Sequence, residues 1–305
     1  MRTMFSSRMI CIFSGNMLTI LLLYILPMLW LAESECPTSE AIAPYCICRE
    51  IGEDAMMSCS GILAVDYLVA PIKASVGKNM FSILIMNSTL LYIPSNLFKD
   101  TNYKKIRFLG TELMSLSDTD LAFIGLEETL EEIRVSDAHF VAQWDWSQLN
   151  RLQRLHLLEV SSVVLHSIDE PFPNLPTLSV LGILKAEISY IHKNAFASLK
   201  SLRILSLKEN GITELNRDML PMPAEELAVI DLSSNELTSL PDNMFEGMPS
   251  LADVNLDHNK FSTLSERTFT WPLEHVNLLS LKGNPIRCDC RLRWIVKVTK
   301  PFEFY

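Results

Sequence analysis

The cysteines are the residues whose chemistry is easiest to place in this chain. Four of them follow the spacing C-x9-C-x-C-x10-C, and they are Cys36, Cys46, Cys48 and Cys59. Four thiols so close together could form two disulfides, in any of three connectivities, or could bind zinc. No histidine lies near them, and an oxidising compartment favours disulfides. We therefore expect two disulfides and no metal site.

A second pair of cysteines, Cys288 and Cys290, is separated by a single residue. A disulfide between cysteines two apart in sequence is geometrically strained. No cysteine follows them before Tyr305. We expect either a truncated sequence or two free thiols, and we favour truncation.

Residue patterns for catalysis are absent from the sequence. There is no G-x-S-x-G, phosphate-binding loop, dinucleotide-binding glycine pattern or H-E-x-x-H. The histidines are scattered without metal-ligand spacing, at His139, His156, His166, His192, His258 and His275. Acidic residues are plentiful, but no acid, base and nucleophile are brought together by the pattern. The sequence predicts a protein that is not an enzyme and has no cofactor.

One apolar pattern recurs about every 25 residues between the two groups of cysteines. Its clearest copy, from Leu202 to Leu215, reads L-x-x-L-x-L-x-x-N-x-I-x-x-L. This is the leucine-rich repeat pattern, in which stacked copies share one core and display a concave parallel sheet. About nine units open near Met80, Tyr103, Leu130, Leu152, Leu178, Leu202, Leu227, Leu251 and Val276. The predicted fold is an α/β solenoid, a leucine-rich repeat horseshoe with a disulfide-linked N-terminal cap and an incomplete C-terminal cap.

Some prominent residues are better explained by architecture than by binding. Asn210, Asn235, Asn259 and Asn284 occupy one repeat position, where an amide can bond backbone groups that the turn leaves unpaired. Earlier repeats are degenerate there, with Ser88, Thr111, Ala138, Val160 and Ala186. Trp144 and Trp146 could be exposed anchors for a partner, but we expect burial because large aromatic residues dominate cores.

The first 34 residues resemble a secretory signal peptide. A positive start is followed by an apolar run from Met17 to Leu31 and by small residues at Ala32 and Ser34. The run is shorter than the roughly 20 residues that span a bilayer, which favours cleavage over a membrane anchor. The full chain carries a net charge of −10, and such acidity argues against nucleic acid or an anionic membrane as the main partner. We expect a secreted, extracellular protein with no transmembrane span after cleavage.

The two cysteine groups resemble the caps of extracellular leucine-rich repeat proteins, the second through N-P-x-x-C-D-C-x-L-x-W from Asn284 to Trp294. The resemblance implies the pairs Cys36–Cys48 and Cys46–Cys59. The implied organisation is a signal peptide at 1–34, an N-terminal cap at 35–79, repeats at 80–287 and a truncated C-terminal cap at 288–305.

Irregular early repeats and regular late ones are also similar, in general texture, to arthropod secreted proteins grouped with the non-catalytic subunit of a shrimp luciferase. That resemblance implies a binding or accessory protein. The alternative is the truncated ectodomain of an innate-immune or adhesion receptor, which a second cysteine pair and an apolar span beyond Tyr305 would favour.

The concave face is the expected binding surface. Its predicted partner-binding residues, on adjacent strands, are Arg107, Leu109, Arg134, His156, Leu158 and Leu184. Arginines among exposed aliphatic residues are typical of protein interfaces, and an acidic protein partner would suit them. Separately, Asn87-Ser88-Thr89 is an acceptor sequence for N-glycosylation, so Asn87 is a predicted glycan site.

Overall fold

The computed structural model describes residues 35–138 and 144–298, so the predicted signal peptide lies outside the described residues. Within them the chain forms fifteen short strands. They are β1 (Cys46–Ile51), β2 (Asp54–Ser60), β3 (Met80–Met86), β4 (Thr89–Tyr92), β5 (Lys105–Leu109), β6 (Glu112–Ser115), β7 (Glu132–Ser136), β8 (Leu157–Ser161), β9 (Ser167–Ile168), β10 (Val180–Leu184), β11 (Tyr190–Ile191), β12 (Ile204–Ser206), β13 (Val229–Asp231), β14 (Asp253–Asn255) and β15 (Leu278–Ser280). No helix in the described part is long and apolar enough to cross a membrane.

Eleven of the described strands form one sheet, in the order β1-β2-β3-β5-β7-β8-β10-β12-β13-β14-β15. Every pairing from β2 onward is parallel, since each repeat runs the same way around the coil. Successive side chains of a strand face opposite ways, so alternate residues enter the core. In β13, Ile230 is buried whereas Val229 and Asp231 stay partly exposed. The predicted leucine-rich repeat solenoid with a parallel sheet is confirmed.

A left-handed backbone residue follows the strand in every repeat. Among the described residues it has a positive φ at nine equivalent places, Asn87, Gly110, Asp137, Ser162, Lys185, Glu209, Ser234, His258 and Gly283. This conformation turns the chain away from the strand. Glycine adopts it most readily, yet only two of the nine residues are glycine. The series fixes the repeat frame independently of the leucine pattern. In that frame Val163, not Val160, occupies the asparagine position of the fourth unit.

The asparagines of the later repeats bond backbone groups, as their position predicts. Asn235 is 3% exposed. Its Nδ2 donates to the carbonyl oxygens of Leu207 at 2.9 Å, Leu232 at 3.0 Å and Ser233 at 3.3 Å, while its Oδ1 accepts from the Ile212 amide at 3.1 Å. One side chain therefore joins its own turn to the preceding repeat.

The side of the coil opposite the sheet is made of turns and short helices. In the described part of the chain the α-helices are α1 (Ser39–Ile42) and α2 (Asp66–Ala74), which belong to the N-terminal cap, and α3 (Glu266–His275). The described 3-10 helices occupy Trp146–Leu149, Arg217–Met219 and Cys290–Lys297. Phenylalanines recurring at the repeat period are buried there, namely Phe98, Phe196, Phe245 and Phe269. Trp144 and Trp146 are 5% and 4% exposed, which confirms the expectation that they are buried.

The N-terminal cap closes one end of the core with an antiparallel hairpin, β1–β2. Disulfides join Cys36 to Cys48 and Cys46 to Cys59, which is the pairing that the resemblance implies. The second bond lies directly across the hairpin, where these two cysteines are register partners. The cap is joined to the repeats by the fully buried Tyr103, whose hydroxyl lies 3.1 Å from Ser75 Oγ.

Candidate partner-binding face

The concave face consists of three rows of side chains that run across the strands. The leading row precedes the first buried residue of each strand, and from β5 onward it contains Lys105, Glu132, Leu157, Val180, Ile204, Val229, Asp253 and Leu278. The middle row contains Arg107, Arg134, Glu159, Gly182, Ser206, Asp231, Asn255 and Ser280. The trailing row begins with Leu109, Ser136, Ser161 and Leu184.

A buried carboxylate organises the charged end of this face. Glu132 is 3% exposed and accepts hydrogen bonds from Arg107 at 2.7 and 3.0 Å and from Arg134 at 2.8 Å. Lys105 Nζ lies 2.9 Å from its other oxygen. Burial alone would raise the pKa of Glu132, but the hydrogen bonds from the three cations outweigh it and lower the pKa to about 2.

The arginines of the predicted site are therefore already paired with carboxylates. Arg134 also lies 3.3 Å from Glu159 on β8. Three cations, Lys105, Arg107 and Arg134, thus face two carboxylates, so little net positive charge is left to attract an acidic partner. This arrangement weakens the expectation of an acidic ligand, which was based on the arginines alone.

Leu158 does not belong to the exposed set. Its side chain is fully buried, because Leu158 pairs in register with the core residue Ile133, and Glu159 pairs with Arg134. His156 precedes the strand and is half-buried; its carbonyl accepts the amides of Ser179 and Val180. The repeat frame predicted from the sequence for this unit is therefore wrong by three residues. In the structure Glu159 occupies the position that was expected for His156.

The two remaining aliphatic residues of the predicted site lie in the trailing row. Leu109 is 40% exposed, at the end of β5. Leu184 is partly exposed and lies over Gly182, where an added Cβ would come within 2.9 Å of its side chain. The structure thus brings Arg107, Leu109, Arg134 and Leu184 to one face, with Leu158 excluded and His156 at its edge.

The opposite end of the face is acidic. Asp231, Asp253 and Asp257 lie on or directly after β13 and β14. Asp257 accepts hydrogen bonds from the Ser280 hydroxyl and, at 2.7 Å, from the Lys282 amide. In the part of the chain that the structure describes, none of these three carboxylates forms an ion pair.

The leading row contains functional candidates that sequence reasoning missed. Leu157, Val180, Ile204 and Val229 are partly exposed register neighbours on four adjacent strands. The available signal was the position before the first buried residue of each strand, which is aliphatic in four successive units. It was missed because a leucine or valine beside core residues is indistinguishable from core in the sequence.

Two further predicted features lie away from this face or at its edge. Asn87 is exposed directly after β3, and its glycosylation remains a prediction. Cys288 and Cys290 are exposed free thiols. Among the described residues no group of three or more histidine, cysteine or acidic side chains could hold a metal ion.

Comparisons with known proteins identify the repeats. The family model described as Leucine rich repeat matches residues 225–286. The solved TLR13–ssRNA13 complex is similar at 20% identity and a TM-score of 0.65, over 76% of this chain and 32% of that chain. The Drosophila Toll–Spatzle complex is similar at 16% identity and a TM-score of 0.58, over 81% of this chain and 32% of that chain.

A third structure, the complex of Latrophilin 3, Unc5D and the leucine-rich repeats of FLRT2, is similar at 17% identity and a TM-score of 0.56, over 82% of this chain and 87% of that chain. The chain spans about a third of the length of the first two structures. No curated protein sequence matches it significantly. The chain therefore has the leucine-rich repeat fold, which it shares with chains of these complexes.

Proposed function

We propose that this chain is a secreted, non-enzymatic binding or accessory protein that engages a protein partner through the concave face of its repeats. The observation that carries the proposal is the composition of that face, where exposed aliphatic side chains such as Leu109 and Ile204 share the surface with charged ones. Interfaces combine such aliphatic contact area with arginine. The two disulfides of the cap support an oxidising, extracellular location.

A protein partner is favoured over RNA by charge. One similar structure is a complex with RNA, whereas two others contain the protein partners Spatzle and Unc5D. Binding RNA requires cations that neutralise phosphates. This chain has a net charge of −10, and its concave arginines are paired with Glu132 and Glu159.

Two roles fit this proposal. One is an accessory subunit, as the likeness to arthropod secreted proteins grouped with the non-catalytic subunit of shrimp luciferase implies. The other is the ligand-binding ectodomain of a receptor, which the fold it shares with Toll supports. Sequencing the transcript beyond the codon for Tyr305 separates them, because an apolar span of about 20 residues would favour the receptor.

Capture of a partner from the native fluid tests the concave face directly. Leu109→Asp and Leu184→Asp place a charge on the face, and we expect each to reduce capture by about tenfold or more. Leu91→Asp is the matched control, because Leu91 is 64% exposed on β4, which belongs to a different sheet. Loss of capture with the control alone would reject the concave face as the binding surface.

Charge reversal of the arginines is a poorer test. Arg107→Glu combined with Arg134→Glu would place two additional carboxylates beside the buried Glu132, so a loss of binding could reflect unfolding. Arg107→Gln leaves Lys105 and Arg134 in contact with Glu132. It therefore measures the contribution of the Arg107 charge to binding in a folded protein.

A further inference from the structure

Four aliphatic side chains form a continuous row on the concave face. Leu157, Val180, Ile204 and Val229 are consecutive register partners on β8, β10, β12 and β13. Because neighbouring strands lie about 4.8 Å apart, this aliphatic row is about 14 Å long. Ile204 is 38% exposed, and the other three side chains are partly exposed.

Ile204, near the centre of this row, is its most open side chain. Its middle-row neighbour is Ser206, which is too small to cover it, whereas the side chains of Leu184 and Glu159 lie over Gly182 beside Val180. Isolated exposed aliphatic residues are common on protein surfaces and have no special meaning. A row on four successive strands is different, because contiguous apolar patches mark interaction sites.

The charges on either side of the aliphatic row are unequal. Towards β5 and β7, the cations Arg107 and Arg134 are paired with Glu132 and Glu159. Towards β14, the next leading-row residue after Val229 is Asp253, and Asp231 and Asp257 lie close by. None of these three aspartates has a cationic partner within the described ranges. The row therefore ends in an acidic patch, in which Asp231 and Asp257 accept hydrogen bonds but form no ion pair with the described residues.

We propose that the aliphatic row is the centre of the docking site and that its occupant is a protein segment with an apolar cluster followed by lysine or arginine. The segment lies across the strands, with its apolar side chains on Leu157 to Val229 and its basic end over Asp231 and Asp253. Hydrophobic contact supplies the affinity, and the aspartates set the direction of the segment. This inference rests on the proposed concave-face function and specifies its partner.

The test uses the intact protein and a display library of random peptides about 12 residues long, since about ten helical residues span 15 Å. Enrichment is compared among the wild type, Ile204→Ser with Val229→Ser, Asp253→Lys, Leu109→Asp and the control Leu91→Ser. We expect enriched peptides to combine aliphatic or aromatic residues with lysine or arginine. Their binding should weaken about tenfold in the double serine variant and in Asp253→Lys, and should be unchanged by the control.

Other outcomes overturn the inference in distinguishable ways. Peptides that are acidic, or that bind the double serine variant normally but lose binding to Leu109→Asp, would reject the aliphatic row while leaving the concave-face function intact. Peptides that lose binding only to the control would reject both. Self-association of the wild type that disappears in the double serine variant would identify a second copy, not a basic segment, as the occupant.

Discussion

The guanidinium group of Arg107 bonds one carboxylate oxygen of Glu132 twice, with Nη2 at 2.7 Å and Nε at 3.0 Å. The acceptor is buried in β7, whereas the donor is an exposed residue of β5. Arg134 and Lys105 complete the shell around the same carboxylate. A negative charge in the sheet is thus held by three positive side chains on the concave face, and Arg107 and Arg134, which are predicted to bind a partner, also contribute to folding.

Glu132→Gln should lower the free energy of unfolding by about 2 kcal/mol near neutral pH. Because the folded-state pKa of Glu132 is lowered from 4.5 to about 2, its contribution is present above the ordinary pKa and is lost as pH falls towards 2. Denaturant titrations of both proteins between about pH 6 and pH 2 measure this difference. The difference should close in acid, and a constant difference would show that Glu132 is not held ionised. Glu131→Gln is the control.

Leu158→Ala should cost about 2–5 kcal/mol, because it creates a cavity in the core between repeats. His156→Ala, two residues earlier, should cost less than about 0.5 kcal/mol, since the imidazole is only half-buried and lies before the strand. Thermal denaturation of the two variants compares them directly. A loss for Leu158→Ala as small as that for the histidine variant would restore the frame predicted from the leucine pattern, in which both side chains point outward, and would reject the observed register.

The fourth repeat shows where the leucine pattern fails to predict the correct repeat frame. Both Leu152-x-x-Leu155-x-Leu157 and Leu155-x-x-Leu158-x-Val160 fit the leucine pattern. Later repeats carry an asparagine that fixes the frame, but this unit has Val163 in its place. Pairing with β7 selects the second frame. The sequence of this repeat alone could not predict that choice, because it depends on hydrogen bonds to another strand.

The residues of the concave face were predictable in part from the sequence, whereas binding by this face remains a prediction. The sequence predicted parallel stacking and hence which residues of the regular repeats share a face. It could not predict that Glu132, a charged residue at a strand start, would be buried, because two of its three cationic partners, Lys105 and Arg107, belong to another strand and become its neighbours only after folding. Charge compensation of this kind is a tertiary property.

Asn235→Ala should destabilise the protein by about 2 kcal/mol, since it removes four hydrogen bonds and leaves buried backbone groups without a partner. The adjacent Ser234→Ala is the matched control and should change stability by less than about 0.5 kcal/mol. Urea denaturation midpoints provide the comparison. Equal midpoints would contradict the structural role of the asparagine position.

Non-reducing peptide mapping should recover Cys36 linked to Cys48 and Cys46 linked to Cys59. The bonds close loops with sequence separations of 12 and 13, so each should contribute on the order of 2–3 kcal/mol. Free thiols at these four positions would contradict both the pairing and the extracellular location. Alkylation without reduction should label Cys288 and Cys290, which are exposed and free.

The order of strands in the large sheet also determines how the molecule would yield to a pulling force. Each inner strand of this sheet is hydrogen-bonded within the sheet only to the strand on either side of it, so tension applied at the two ends would detach repeats one at a time from the ends inward. The N-terminal cap would extend least under this force, because the disulfides Cys36–Cys48 and Cys46–Cys59 link its chain covalently. A partner bound across several strands would contact several repeats at once. It would therefore raise the force needed to separate repeats that would otherwise detach one after another.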